Sequence, residues 1–330
     1  MCCERTTIEP KVARHRVRAI QFSGGQVSLV TRHTPDARAG QVLVRVGRVG
    51  ICGTDLGAVQ RGNPRFAEGV VIGHELAGER LDTGARVTVL PLKSCGSCAA
   101  CCAGRENLCV DKVIIGAHVD GVLAEIVSVP EDLVIELPAD VTDTQAALIE
   151  PMATALHAWR RTQLEPGCRV AVIGAGAIGL CLLTVAKASG AAEIELAEID
   201  ASKHVHALRL GADRTGIAVA GAYEAVFDTV GAAATRENAV AKTLPGGATV
   251  LVGLHSREFP IDGNDVVTGE RTLYGSFAYG RRDFVEAVEF VRHLKGNWVT
   301  EVPLSAAAEL INGTVSPPAG TTKIHVVLNA

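Results

Sequence analysis

Short apolar runs separated by turn residues open the readable pattern, at 17–22, 27–30 and 42–49. Others follow at 70–72, 86–90, 122–129 and 133–137, and Pro138 closes the region. Strands at this density predict a β-rich domain. Thr142-Asp143-Thr144 then reads as a helix start, capped by Thr142 or Asp143, and a helical pattern runs through 146–161, interrupted by Pro151. After the Pro166-Gly167 turn the pattern changes to apolar runs alternating with helical segments. The runs lie at 170–173, 194–199, 225–228, 249–252 and 273–277. Such alternation predicts a parallel sheet covered on both faces. Past Tyr279, 283–294 reads as an amphipathic helix and 324–328 as a closing strand that rejoins the first domain.

The run at 170–173 feeds Gly174-Ala175-Gly176-Ala177-Ile178-Gly179 and then an Ala-rich helical stretch. Strand, glycine turn and helix in this order make the entry of a dinucleotide fold. Gly174 permits the tight turn, Gly176 lets backbone approach a pyrophosphate, and Gly179 lets helix pack on strand. The helix N-terminus, with Ala177 and Ile178, offers free N–H groups to phosphate. Glu198 stands near the end of the next run, placed to accept from both ribose hydroxyls, and it would repel a 2′-phosphate. NAD is therefore favoured over NADP, although Lys203 close behind keeps NADP open.

Composition narrows the class. With 330 residues, two domains are expected; hydrophobic residues at 48% and charged ones at 21% permit a sizeable core. A net charge of -4 makes no electrostatic case for nucleic acid. No apolar run is long enough to span a membrane, and the polar, basic start of the chain is expected to be a leader without a secretory signal. A cytoplasmic location follows as the expectation.

Among ten cysteines, Cys95, Cys98, Cys101, Cys102 and Cys109 cluster. Four thiolates from one loop close the tetrahedral shell of zinc, which predicts a structural site. Cys95, Cys98, Cys101 and Cys109 are the preferred set, with Cys102 an alternative to Cys101. Cys2, Cys3, Cys168 and Cys181 are expected to be free thiols.

Three further stretches, Cys52-Gly53-Thr54-Asp55, Gly73-His74-Glu75 and Glu150-Pro151, are weak singly. Together with the cysteine lobe and the glycine turn, in that order, they make the chain resemble a zinc-dependent medium-chain alcohol dehydrogenase. Within that family it is similar to the sorbitol (polyol) and threonine dehydrogenase branch, over 17–328. The resemblance implies an α/β protein: a doubly wound Rossmann domain over 154–278, and a β-rich GroES-like catalytic domain over 1–153 and 279–330 that carries the structural zinc lobe.

It also implies two zincs per chain, the catalytic one held by Cys52, His74 and Glu150. Glu75 would be a supporting acid or an alternate ligand, and Asp55 would accept the other ring N–H of His74. Thr54 would take the alcohol's proton while the carbon gives hydride to NAD⁺. Asp228, Val252, Gly253, Ser276, Phe277 and Lys323 are carried over as cofactor contacts, the pairs 252–253 and 276–277 near the nicotinamide and Lys323 near the pyrophosphate. Where many members carry a histidine two residues after the aspartate, this chain has Gly57, which alters the proton exit. His157 is expected to pack in its helix. The implied substrate is a secondary alcohol of polyol, sugar or cyclitol type, and the implied assembly a homodimer or homotetramer. Two rivals are a zinc-free quinone or enoyl reductase of the same superfamily and a zinc- and nucleotide-binding protein without turnover.

Overall fold

The computed structural model describes residues 16–60, 66–295 and 297–328. Cys2, Cys3 and most of the expected leader lie outside these residues. Two large sheets organise the described chain. The first has six strands in the order Arg214–Gly216, Glu193–Ala197, Arg169–Ile173, Tyr223–Asp228, Thr243–Leu251 and Thr272–Gly275. Every neighbouring pair is parallel. Numbered along the chain, this is the 3-2-1-4-5-6 order of the doubly wound dinucleotide fold, with the glycine turn at the point where the order reverses. Its central strand is buried on both faces, as an apolar run without alternation demands.

The second sheet is mixed. Val299–Pro303 runs parallel to Lys323–Val327, and antiparallel pairing continues through Gln41–Ile51, Glu75–Arg80, Arg86–Val89 and Val134–Glu136. The closing strand thus pairs with a strand from the start of the chain. Helix Leu304–Asn312 links the two C-terminal strands.

Helix Ile149–Arg160 packs against both Ala177–Ala188 and Arg281–Phe290. Pro151 does not interrupt it. Proline occupies the first turn, where its missing N–H leaves no bond unmade, and the break falls before Ile149, after the capped turn Asp143–Ala146. Thr142 caps that turn reciprocally with Gln145. The apolar run at 70–72 forms only one isolated bridge, from Val71 to Gln21. Cys168 and Cys181 are buried free thiols. No helix among the described residues is long and apolar enough to cross a membrane.

Candidate active site

Strand pairing builds the first cluster. Gly50 in Gln41–Ile51 lies opposite Glu75, so Cys52, just past one strand, meets His74, just before the other. Cys52 also opens helix Gly53–Gln60: its N–H donates to Asp55 Oδ2 at 3.1 Å, and its carbonyl accepts from Asp55 and Leu56. The Thr54 N–H points at Cys52 Sγ, 3.5 Å away. One donor atom each from Cys52, His74 and Glu75 lies within 4.8 Å of the others. Asp55, 2% exposed, sets Oδ1 3.5 Å from His74 Nδ1. That oxygen has no other partner among the described residues, so Asp55 is placed to fix the ring and leave Nε2 toward Cys52.

The close group differs from the expected one by a carboxylate. Glu75 stands in it, adjoining His74 in sequence and pinned by Lys323, whose Nζ is 2.6 Å from both carboxylate oxygens. Glu150 is a neighbour instead, on the first turn of Ile149–Arg160 and hydrogen-bonded to the Tyr279 hydroxyl. Burial pushes its pKa up to about 7, against the opposing pull of His74. Lys323 is buried at 4% exposure beside Glu75, not set out toward a pyrophosphate as expected. Gly57 and Ala58 are buried in their helix, while Thr54 is exposed.

These donors fit a divalent ion. A thiol, an imidazole and a carboxylate meet where Glu75 is buried and Cys52 and His74 are half-buried, which suits Zn²⁺ with a fourth position left open. The lobe fits a second. Sγ atoms of Cys95, Cys98, Cys101 and Cys109 all lie within 4.8 Å of one another. Cys95 to Cys101 is 3.9 Å and Cys98 to Cys101 is 3.5 Å, beside the edge of about 3.8 Å implied by Zn–S bonds of about 2.3 Å in a tetrahedron. Backbone N–H groups of Ser97 and Cys98 draw the Cys95 thiol down to about 6. Burial and the Cys98 thiol hold Cys101 up at about 11. Cys102 turns away, exposed, toward the Ser97 carbonyl oxygen at 3.5 Å.

The glycine turn fits a dinucleotide. Gly174 has φ +104°, open to glycine at little cost. A Cβ at Gly179 would overlap the Gly174 carbonyl oxygen, so helix and strand touch there, while a Cβ at Gly176 would meet nothing within 4 Å. That open cradle adjoins Ala177 and Ile178 at the start of a helix whose N-cap has no side-chain bond. Glu198 crosses the turn, accepting from Ala175 N at 2.8 Å and from Asp200 N at 2.9 Å. Lys203 Nζ stands 4.0 Å from Asp200.

Asp228 is fully buried and occupied, holding the N–H groups of Val230 and Gly231 and so shaping the loop beside the turn. Val252 and Gly253 donate to its carbonyl, and Gly253 packs directly on Val230 and Gly231. Ser276 and Phe277 follow the edge strand Thr272–Gly275 at its carboxyl end. Ser276 Oγ is buried with no hydrogen-bond partner among the described residues. Phe277 touches the cysteine lobe, with Lys112 Nζ 5.6 Å from its ring centre. His157 packs as expected, its Nδ1 2.8 Å from Asp283 Oδ2. Tyr279 and the Glu75–Lys323 pair escaped the sequence; only the scarcity of tyrosine marked the first, and nothing local marked the pair.

The alcohol dehydrogenase GroES-like domain model matches residues 38–139, and the zinc-binding dehydrogenase model matches 177–293. Sorbitol dehydrogenase of Bacillus subtilis (strain 168) is 31% identical over 300 residues, covering 83% of this chain and 85% of the relative. L-galactonate-5-dehydrogenase of Escherichia coli (strain K12) is 35% identical over 281 residues, covering 77% of this chain and 81% of the relative. The crystal structure of a zinc-binding dehydrogenase of Sinorhizobium meliloti 1021, bound to NADP, superposes with a TM-score of 0.88 at 28% identity, covering 95% of this chain and 100% of that one. The chain belongs to the zinc-type medium-chain alcohol dehydrogenase family, in its polyol and threonine dehydrogenase branch, and is an NAD(P)-dependent oxidoreductase of CH–OH groups.

Proposed function

We propose that this enzyme oxidises a secondary hydroxyl of a polyol, sugar acid or cyclitol with NAD⁺, and reduces the matching ketone in reverse. The observation that carries the reading is the group Cys52, His74 and Glu75, with donor atoms within 4.8 Å and Glu150 beside it. Cys52 and His74 would hold a catalytic zinc with Glu75 or Glu150 as the carboxylate, and Cys95, Cys98, Cys101 and Cys109 a structural one. When bound, the catalytic ion supplies Lewis acidity to a substrate oxygen.

Each side chain has a task in this reading. Asp55 takes the His74 ring N–H and keeps the other nitrogen on the metal side. Thr54, exposed beside Cys52, receives the hydroxyl proton. Lys323 balances the charge of Glu75. The N–H groups of Ala177 and Ile178 take the pyrophosphate over Gly176. Glu198 retains a free lone pair on each oxygen for the ribose hydroxyls and repels a 2′-phosphate, while Asp200 draws Lys203 aside; NAD is the preferred cofactor. The enzyme works in the cytoplasm as a homodimer or homotetramer on small molecules, apart from nucleic acid and membrane.

Metal analysis with absorbance at 340 nm tests this, over sorbitol, galactonate, idonate and inositol with NAD⁺ and NADP⁺. Two zincs per chain and NAD⁺-dependent turnover on at least one substrate are expected. Two bound zincs with no turnover on any secondary alcohol would refute the reading.

A further inference from the structure

The cysteine lobe meets the end of the parallel sheet through one buried side chain. Asn107 lies two residues before Cys109 and is 4% exposed. Its Nδ2 donates to the Phe277 carbonyl oxygen at 2.7 Å and stands 3.4 Å from His157 Nε2. The donor count closes. With Nδ1–H of His157 directed at Asp283 Oδ2, Nε2 is an acceptor, so the two amide hydrogens of Asn107 serve Phe277 and His157. Asp283 Oδ2 also accepts the Gly280 N–H at 3.2 Å.

Residues 277–280 are thus held at both ends, at the first carbonyl by the lobe and at the last amide by Asp283. Between them Ala278 has φ +48°, a conformation that persists in a residue with a Cβ only where its surroundings impose it. Tyr279, next in line, reaches Glu150. Ser276, just before, buries its unpartnered hydroxyl. Lys112 adds a second strut: Nζ donates to the Cys109 carbonyl oxygen at 3.1 Å and overlies the Phe277 ring.

We propose that Asn107 is a positioning residue for hydride transfer. It ties the four-cysteine lobe to the wall that faces the nicotinamide, so the lobe sets the geometry of the reacting end of the cofactor as well as stabilising the fold. The inference rests on the reading of 276–277 as that wall. A lobe that is only a structural insert has no need of a buried amide whose hydrogens both leave the lobe.

The test compares two ligands on zinc-loaded enzyme. NADH carries the nicotinamide; ADP-ribose carries the rest. Asn107→Asp removes both donors at nearly constant shape, and Asn107→Ala guards against failure of a buried carboxylate to fold. Each variant should keep two zincs and bind ADP-ribose within twofold of wild type. NADH affinity should fall roughly tenfold, about 1.4 kcal/mol, and the primary deuterium isotope effect on kcat should rise as hydride transfer becomes limiting. Unchanged NADH affinity in folded, zinc-loaded Asn107→Ala would overturn the proposal, as would equal losses for both ligands. Wild-type enzyme that binds NADH no differently from ADP-ribose would instead remove the nicotinamide wall itself.

Discussion

Gly50→Ala is the sharpest perturbation of the metal group. Gly50 faces Glu75 across one strand pair and His325 across the other. Its φ is not in the left-handed region, so alanine meets no backbone penalty. The obstacle is space. A Cβ there would stand 3.0 Å from Glu75 Cδ and 3.0 Å from Lys323 Cε, and would overlap Glu75 Oε2. Carbon atoms rest at about 3.5–4.0 Å, so the carboxylate must retreat by about 0.5–1 Å, and by more at Oε2. It cannot do so alone, because Lys323 grips both oxygens at 2.6 Å and Lys323 is itself pressed. Overpacking of this kind costs about 1–3 kcal/mol of stability. Displacing a group that holds or orients a metal ligand lowers affinity by about 10–100-fold. Release of zinc to a chromophoric chelator reads both sites at once. One zinc should leave Gly50→Ala at least roughly tenfold faster than wild type, while the lobe zinc leaves at the wild-type rate. Adding Glu75→Asp, which withdraws the carboxylate by one methylene, should relieve the overlap and recover part of the stability. Both zincs leaving Gly50→Ala at wild-type rates, with full activity, would refute the placement of Glu75 at the metal.

Cys101→Ser should cost the lobe its zinc and Cys102→Ser should not, by zinc stoichiometry; the opposite pattern would move the ligand by one position. Gly179→Ala drives a Cβ into the Gly174 carbonyl oxygen, so NADH affinity should drop and stability fall by about 1–3 kcal/mol; unchanged binding would mean the turn does not carry the pyrophosphate. Glu150→Ala should lower kcat by roughly 10–100-fold if the carboxylate orients and by more if it ligates, with NADH binding intact; wild-type kcat would remove it from the site. His325 is fully buried, with no partner for either ring nitrogen among the described residues, and burial, then Lys323 and Arg48, hold its pKa well below the usual value. Below about pH 6.5 the unfolded chain takes a proton that the folded chain refuses, so stability is lost as the pH drops, by up to about 1.4 kcal/mol per unit. His325→Leu should flatten that slope in urea melts between pH 5 and 7.5; an equal slope in both proteins would assign acid sensitivity elsewhere.

Much of this architecture is periodic and therefore legible. The central strand at 170–173, its glycine turn and the capped turn at Thr142 each carry a local signal that packing has no reason to override. The four-cysteine lobe was legible from its spacing, whereas Cys52, His74 and Glu150 were named only through the family resemblance, since each stretch is weak singly. What escaped depends on register. Gly50 matters because Glu75 lies across from it, and no local pattern predicts which residue a strand partner brings. Lys323 reads as a pyrophosphate contact until pairing of the closing strand with Gln41–Ile51 sets it beside Glu75. Helix Gly53–Gln60 escaped because its apolar positions are too few to show a face, and Leu304–Asn312 lies in a segment between 294 and 324 to which the sequence pattern assigns no element. Pro151 misled by appearing to sit mid-helix, since the end of the preceding turn could not be placed within two residues.

The two carboxylates beside His74 are distinguished by their holders. Glu75 is gripped by the Lys323 ammonium, which shares its burial and fixes its position. Glu150 is held by a neutral phenol, Tyr279, and burial together with repulsion from Glu75 favours its protonated form in the absence of a cation. A divalent ion bound beside His74 would reverse that preference, because its charge would outweigh both effects at short range. In the proposed reading, Glu150 is the acid whose charge state would follow the metal, and Glu75 the one whose position would prepare for it. A single buried lysine beside one of two acids is enough to divide the roles. Exchanging the lysine for a neutral side chain would leave two unbalanced carboxylates competing for one ion.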